Sequence, residues 1–134
     1  MKIWILAFVF TGAFMLALDA VWLSTMASRF YRPLIGELLA ADFRLAPAIV
    51  FYFLYVSGIV FFAVRPALAE QSAMTALVHG ALLGLLAYGT YDLTNQATLK
   101  VWPAIVTIVD LAWGAFLTAS AATAGYLGVR WAAP

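Results

Sequence analysis

Residues 45–64 read LAPAIVFYFLYVSGIVFFAV and contain no charged side chain. The hydrocarbon core of a bilayer is about 30 Å thick, and a helix needs about 20 predominantly apolar residues to cross it. Three further runs, 3–23, 73–93 and 101–127, have comparable length and apolar character. The sequence therefore predicts an all-α fold, a bundle of four transmembrane helices that forms one integral membrane domain over residues 1–134.

The composition supports a membrane location and excludes several classes of function. Hydrophobic residues make up 66% of the 134 residues and charged residues only 10%, against about 45–50% and about 25% in soluble domains. Seven Lys and Arg oppose six Asp and Glu, so no basic surface is available for nucleic acid. The chain has no cysteine and one histidine, which excludes thiolate metal centres, iron–sulfur clusters and bis-histidine haem ligation. We expect no cofactor and no metal site.

The segment from Ser24 to Arg44 mixes charged and apolar residues and predicts a short interfacial helix between the first and second spans. Pro33 suits the first turn of such a helix. Arg29, Tyr31 and Arg32 are candidates to bind the phosphate or carboxylate of a lipid headgroup. The alternative is that these three residues simply anchor the chain at the membrane surface.

Three carboxylates fall inside the predicted spans: Asp19 in the first, Asp92 in the third and Asp110 in the fourth. An Asp near the centre of a transmembrane helix costs roughly 2.5–3.5 kcal/mol on insertion scales, so packing or pairing must offset it. Because the chain reverses at each loop, all three are predicted to lie in the same half of the bilayer. Intramembrane ionisable residues commonly mark a functional site.

Helical spacing predicts which other side chains share that region. Tyr88, Asp92 and Asn95 follow the i, i+4, i+7 pattern of one helix face. Two D-x-x-W pairs place Trp22 and Trp113 on the faces of their aspartates, with Trp22 expected toward the interface and Trp113 toward the bilayer interior, where its indole N–H needs an acceptor. The candidate ligand-binding residues are Asp19, Trp22, Tyr88, Asp92, Asn95, Asp110 and Trp113.

Two functional interpretations remain open at this stage. In the first, the cluster binds a small polar or cationic group or a lipid headgroup. The protein would then act in transport, lipid binding or lipid modification. Transport through so small a bundle would require a homo-oligomer. In the second, the carboxylates are structural, pairing with Arg29, Arg32 or Lys100, and the protein is a non-catalytic accessory subunit of a larger membrane complex. Whether the protein is an enzyme stays undecided, and membrane lipid is the expected partner.

The third span carries two further features. His79 is separated from Asp92 by 13 residues, about 20 Å along a helix, and is interpreted as an interfacial histidine. Gly80 and Gly84 form a G-x-x-x-G motif that favours close helix contact. The motif alone leaves open whether that contact lies within the bundle or between two copies of the chain.

Three segments, LDAVWL (18–23), YDLTNQAT (91–98) and VDLAWG (109–114), resemble the signatures of a family of small bacterial membrane proteins, domain of unknown function 2177. The resemblance covers nearly the whole chain. It implies a four-helix protein of the bacterial inner membrane. Its motif positions are Asp19, Trp22, Tyr91, Asp92, Thr94, Asn95, Asp110 and Trp113.

Overall fold

The computed structural model describes all 134 residues as four long helices joined by short connections. The fold contains no strand, and each helix is long and apolar enough to cross a membrane. The predicted all-α, four-helix fold is confirmed. In chain order, the helices are Lys2–Leu38, Leu45–Glu70, Ala73–Thr98 and Ala104–Ala132.

The fourth helix is the centre of the bundle. It packs along both the first and the third helix, while the second helix reaches the other three mainly through residues 60–64. It also carries more buried residues than any other helix, among them Leu117 and Ala121 at 0% exposure. The first, third and fourth helices, which hold the three intramembrane aspartates, therefore meet around this central element.

Glycines allow the third and fourth helices to approach closely. A Cβ atom added to Gly84 would overlap the backbone carbonyl of Gly114, and one added to Gly80 would lie 2.8 Å from the Cα of Ala119. Both glycines of the G-x-x-x-G motif are buried against the chain's own fourth helix. The motif thus serves packing inside the bundle, and the alternative of a dimer contact does not apply to this face.

Two π-helical turns, Ala27–Tyr31 and Val60–Val64, lie directly before Arg-Pro dipeptides. In each turn the N–H of the arginine bonds to the carbonyl five residues earlier. A proline inside a helix has no N–H to donate and its ring collides with the carbonyl four residues earlier. Widening the turn before Pro33 and Pro66 accommodates both effects and keeps the helices continuous.

The carbonyl of Phe62 loses its usual helical donor because residue 66 is a proline. His79 of the third helix lies against it, with Nδ1 3.1 Å from the Phe62 oxygen. The side chain of His79 is exposed and lies on the side of the bundle where the chain begins and ends. This placement agrees with the interpretation of His79 as an interfacial residue remote from the carboxylates.

The helix predicted between the first and second spans is present, but it is continuous with the first helix. The chain passes from the α-helix Lys2–Met26 through the π turn into Arg32–Ile35 and a final 3-10 turn, Gly36–Leu38. Pro33 occupies the first turn of the resumed α-helix, as predicted. Residues 39–44 then connect to the second helix without regular structure.

Candidate functional site

The three intramembrane aspartates are buried, with Asp19, Asp92 and Asp110 at 7%, 0% and 8% exposure. Asp92 lies six residues before the end of the third helix, and Asp110 lies six residues after the start of the fourth. Because these helices run in opposite directions, both carboxylates lie about 9 Å from the same end of the bundle. Asp92 and Asp110 therefore share one end of the bundle, and the placement of all three aspartates in one half of the bilayer stays a prediction.

Both carboxylate oxygens of Asp19 accept hydrogen bonds from other helices. The indole Nε1 of Trp113 donates to Oδ1 at 3.2 Å, and the hydroxyl of Tyr52 donates to Oδ2. The acceptor required by the Trp113 indole is thus an aspartate of the first helix. Asp19 ties together the first, second and fourth helices.

Asp110 takes part in a second chain of hydrogen bonds. The hydroxyl of Tyr31 donates to Oδ1 of Asp110, and the same hydroxyl accepts from Nε1 of Trp22 at 3.1 Å. Tyr31 therefore points into the bundle and joins the carboxylate cluster. Arg29 and Arg32, on either side of it, are exposed and remain available at the membrane surface.

The two tryptophans of the D-x-x-W pairs stack face to face. The ring centroids of Trp22 and Trp113 are 4.2 Å apart, with an angle of 8° between their planes. The positions expected for Trp22, toward the interface, and for Trp113, toward the bilayer interior, stay predictions. The first and fourth helices run in opposite directions, so their equally spaced Asp and Trp residues align in reverse order. Each tryptophan therefore lies beside the aspartate of the other helix. Trp113 donates to Asp19 directly, and Trp22 is linked to Asp110 through the hydroxyl of Tyr31.

Asp92 differs from the other two aspartates. It is completely buried, and neither of its carboxylate oxygens has a hydrogen-bond partner. Its carboxyl group lies beside that of Asp110, so the end of the cluster consists of two adjacent acids. Buried carboxylates are normally hydrogen-bonded or paired, which makes Asp92 the exceptional group of the site.

The remaining candidates from the third helix flank Asp92 along that helix. Tyr88 is half-buried and packs against Gly114, while Asn95 is half-buried between Asp92 and the helix end. The donors to Asp19 and Asp110 are tyrosine and tryptophan, so the proposed ion pairs with Arg29, Arg32 or Lys100 do not account for their burial.

The family comparison agrees with the motifs and the fold. Residues 4–127 match the model of a family described as predicted membrane protein, DUF2177. The chain belongs to this family. No curated protein and no solved structure matches the chain. Family membership and the four apolar helices together establish an integral, multi-pass membrane protein.

Sequence reasoning placed no residue of the second helix in the site of this DUF2177 protein, yet Tyr52 donates to Asp19. Charged groups and their neighbours mark the other three helices, whereas residues 45–64 contain no charge. A usable signal was present in Tyr52 and Tyr55, an i, i+3 pair of hydroxyls in a run whose only other polar side chain is Ser57. Tyr55 also finds a partner, Thr118 Oγ1 at 2.6 Å.

We expect Tyr31→Phe to lower the thermal midpoint of unfolding in detergent, because it removes the donor to Asp110 and the acceptor for Trp22. A hydrogen bond to a charged group contributes about 1.5–3 kcal/mol. Tyr91→Phe is the matched control, since the side chain of Tyr91 is 59% exposed. Equal midpoints for the two variants would show that the Tyr31 hydroxyl does not hold the cluster together.

Proposed function

We propose that this protein, in a bacterial inner membrane, binds a small group carrying one positive charge at the paired carboxyls of Asp92 and Asp110. The observation that carries the proposal is the complete burial of Asp92 without a partner for either oxygen. A proton, a monovalent metal cation and the ammonium of a lipid headgroup each carry one positive charge on a small group. The experiment below distinguishes these three ligands.

Electrostatics favours an occupant at this position. An unpaired buried ion costs several kcal/mol even after relaxation, and an Asp is already unfavourable within a bilayer. Asp19 offsets this cost with two donors, and Asp110 has Tyr31. Asp92 has no such compensation and faces a second acid, so one positive charge between the two would relieve both burial and repulsion.

The set of oxygen ligands favours a proton or a monovalent group over a divalent metal. No three acidic or histidine side chains converge in the structure, whereas Ca²⁺ takes six to eight oxygen ligands. One oxygen of Asp110 is already occupied by the Tyr31 hydroxyl. The remaining acceptors, both oxygens of Asp92 and the free oxygen of Asp110, suit a single small cationic group.

Access to the pair is shortest from the end of the third helix. Asn95 is half-buried and Gln96 is exposed, so polar side chains continue from Asp92 toward the membrane surface. Arg29 and Arg32 are exposed next to Tyr31 and supply a counter-charge for a headgroup phosphate. The ligand is therefore expected to enter from this face of the membrane.

The test compares Asp92→Asn with Asp42→Asn, an exposed aspartate in the connection between the first and second helices. Ligand that binds only the folded state raises its stability, by about 2.7 kcal/mol at a hundredfold excess over Kd. The thermal midpoint of the wild type should rise with one of three additions: protons, at falling pH in choline buffer; sodium or potassium, at constant ionic strength; or phosphatidylethanolamine. The thermal midpoint of Asp42→Asn should rise as that of the wild type does. The midpoint of Asp92→Asn should not respond to that addition.

Infrared spectroscopy adds a direct readout of the proton. If the pair holds a proton, the carbonyl stretch of a protonated carboxylic acid should be present in the wild type and absent from Asp92→Asn. A wild-type midpoint that responds to none of the three additions, with no such band, would contradict the proposal. A response that persists in Asp92→Asn would assign binding to another part of the chain.

A further inference from the structure

A second feature lies at the opposite end of the bundle, around Arg65 of the second helix. One groove of about 480 Å³ runs between the first and second helices. Its walls are mainly apolar and aromatic, and the arginine is its one charged residue. The groove is lined by Trp4, Phe8, Ser57, Val60, Phe61 and Arg65.

Another groove, of about 330 Å³, lies on the other side of the second helix, toward the third. Phe61 and Arg65 line both grooves, so the arginine lies between them. The rest of the second groove consists of Phe62, Pro66, Ala69 and His79.

Arg65 lies near the end of the second helix. It is five residues from the end of the second helix, about 7.5 Å along the axis, and its side chain is exposed. The guanidinium lies over the ring of Phe61, 5.1 Å from the centroid, and keeps its N–H donors available to a ligand. Trp4, on the wall of the larger groove, is of the residue type that prefers the membrane interface.

We infer that Arg65 binds the phosphate of an anionic phospholipid whose acyl chain lies along the larger groove. A guanidinium matches the geometry of a phosphate, and basic pockets between transmembrane helices bind anionic lipid headgroups. The larger groove leads from Arg65 past Phe61 to Ser57, about 12 Å deeper along the helix, and so fits an acyl chain attached to a negative headgroup. The site is separate from the carboxylate cluster, which lies toward the other membrane surface.

The lining residues also favour an anionic over a zwitterionic lipid. Neither groove contains an Asp or Glu, so the ammonium of a choline or ethanolamine headgroup would find no counter-charge there. His79 borders the smaller groove and would add a second positive charge when protonated. A headgroup with net negative charge is therefore the best complement to this surface.

The test measures lipid retention by native mass spectrometry of the full chain, purified in detergent with equimolar phosphatidylglycerol and phosphatidylcholine of identical acyl chains. The wild type should retain phosphatidylglycerol preferentially. Arg65→Gln should lower retention of phosphatidylglycerol about tenfold, the effect of losing one charge-assisted contact with its phosphate. It should also lower the ratio of phosphatidylglycerol to phosphatidylcholine, because the cation that repels the choline ammonium is gone. Arg130→Gln, at an exposed arginine near the end of the fourth helix, should leave the ratio unchanged.

Single-chain lysophosphatidylglycerol and glycerol phosphate test the role of the grooves. Lysophosphatidylglycerol should compete with the diacyl lipid, and glycerol phosphate should compete only weakly, because burial of an acyl chain in the larger groove contributes to binding. Equal losses in Arg65→Gln and Arg130→Gln would overturn the inference in favour of diffuse charge attraction. A dimer on size exclusion that retains no lipid would overturn it in favour of a second copy covering the grooves.

Discussion

Gly84→Ala should destabilise the bundle, whereas Gly58→Ala should leave its stability unchanged or raise it. A Cβ at Gly84 overlaps the carbonyl of Gly114, but a Cβ at Gly58 meets no atom within 4 Å. The first variant must separate the third and fourth helices, and overpacking of this kind costs about 1–3 kcal/mol or more. The second keeps only the helix-propensity gain of alanine over glycine, about 0.5–1 kcal/mol.

The thermal midpoint of unfolding and the elution volume in detergent would measure both effects. Both substitutions add one methyl group to a helical glycine, so the comparison isolates the space available at each site. We expect Gly84→Ala to melt earlier than the wild type and Gly58→Ala to melt at the same temperature or later. If Gly84→Ala dissociated an oligomer while the monomer stayed intact, the assignment of this face to the bundle's interior would be wrong.

Much of this architecture could be predicted from hydropathy and spacing. Apolar length located the four helices, and chain reversal placed Asp19, Asp92 and Asp110 in one half of the bilayer, where the structure has them buried. These features depend on the count of residues along each helix. They are insensitive to the details of packing that decide which side chains touch.

The position of Tyr31 could not be predicted in this way. It follows Trp22 by nine residues, about two and a half turns of a regular α-helix, which would place the two side chains on opposite faces. The π turn at Ala27–Tyr31 changes the rotation of the chain, and the tyrosine reaches both Trp22 and Asp110. Pro33 was visible in the sequence, but the widened turn before it was not.

The stack of Trp22 on Trp113 has a different origin. It requires the first and fourth helices to be neighbours in antiparallel register, and the sequence specifies direction but not adjacency. Once the fourth helix is central, the two D-x-x-W pairs align in reverse order. The two D-x-x-W pairs are then the two sides of one contact between the first and fourth helices.

Asp19→Leu should destabilise the bundle, whereas Asp92→Leu should leave its stability unchanged or raise it. Leucine in place of Asp19 leaves the Trp113 indole and the Tyr52 hydroxyl without an acceptor, at about 1–3 kcal/mol for each buried donor. Leucine in place of Asp92 removes a buried carboxyl that has no partner, and replacing buried charge by an apolar side chain of similar volume is often neutral or stabilising by about 1–4 kcal/mol.

The two variants separate a carboxylate that maintains the fold from one that is retained at a cost to stability. Thermal midpoints in choline buffer at alkaline pH, where neither protons nor small cations are abundant, should fall for Asp19→Leu and stay level or rise for Asp92→Leu. A comparable fall in both would mean that Asp92 supports packing as Asp19 does. A rise at Asp92 means that the native chain tolerates a destabilising acid there, which is expected of a group kept for what it binds.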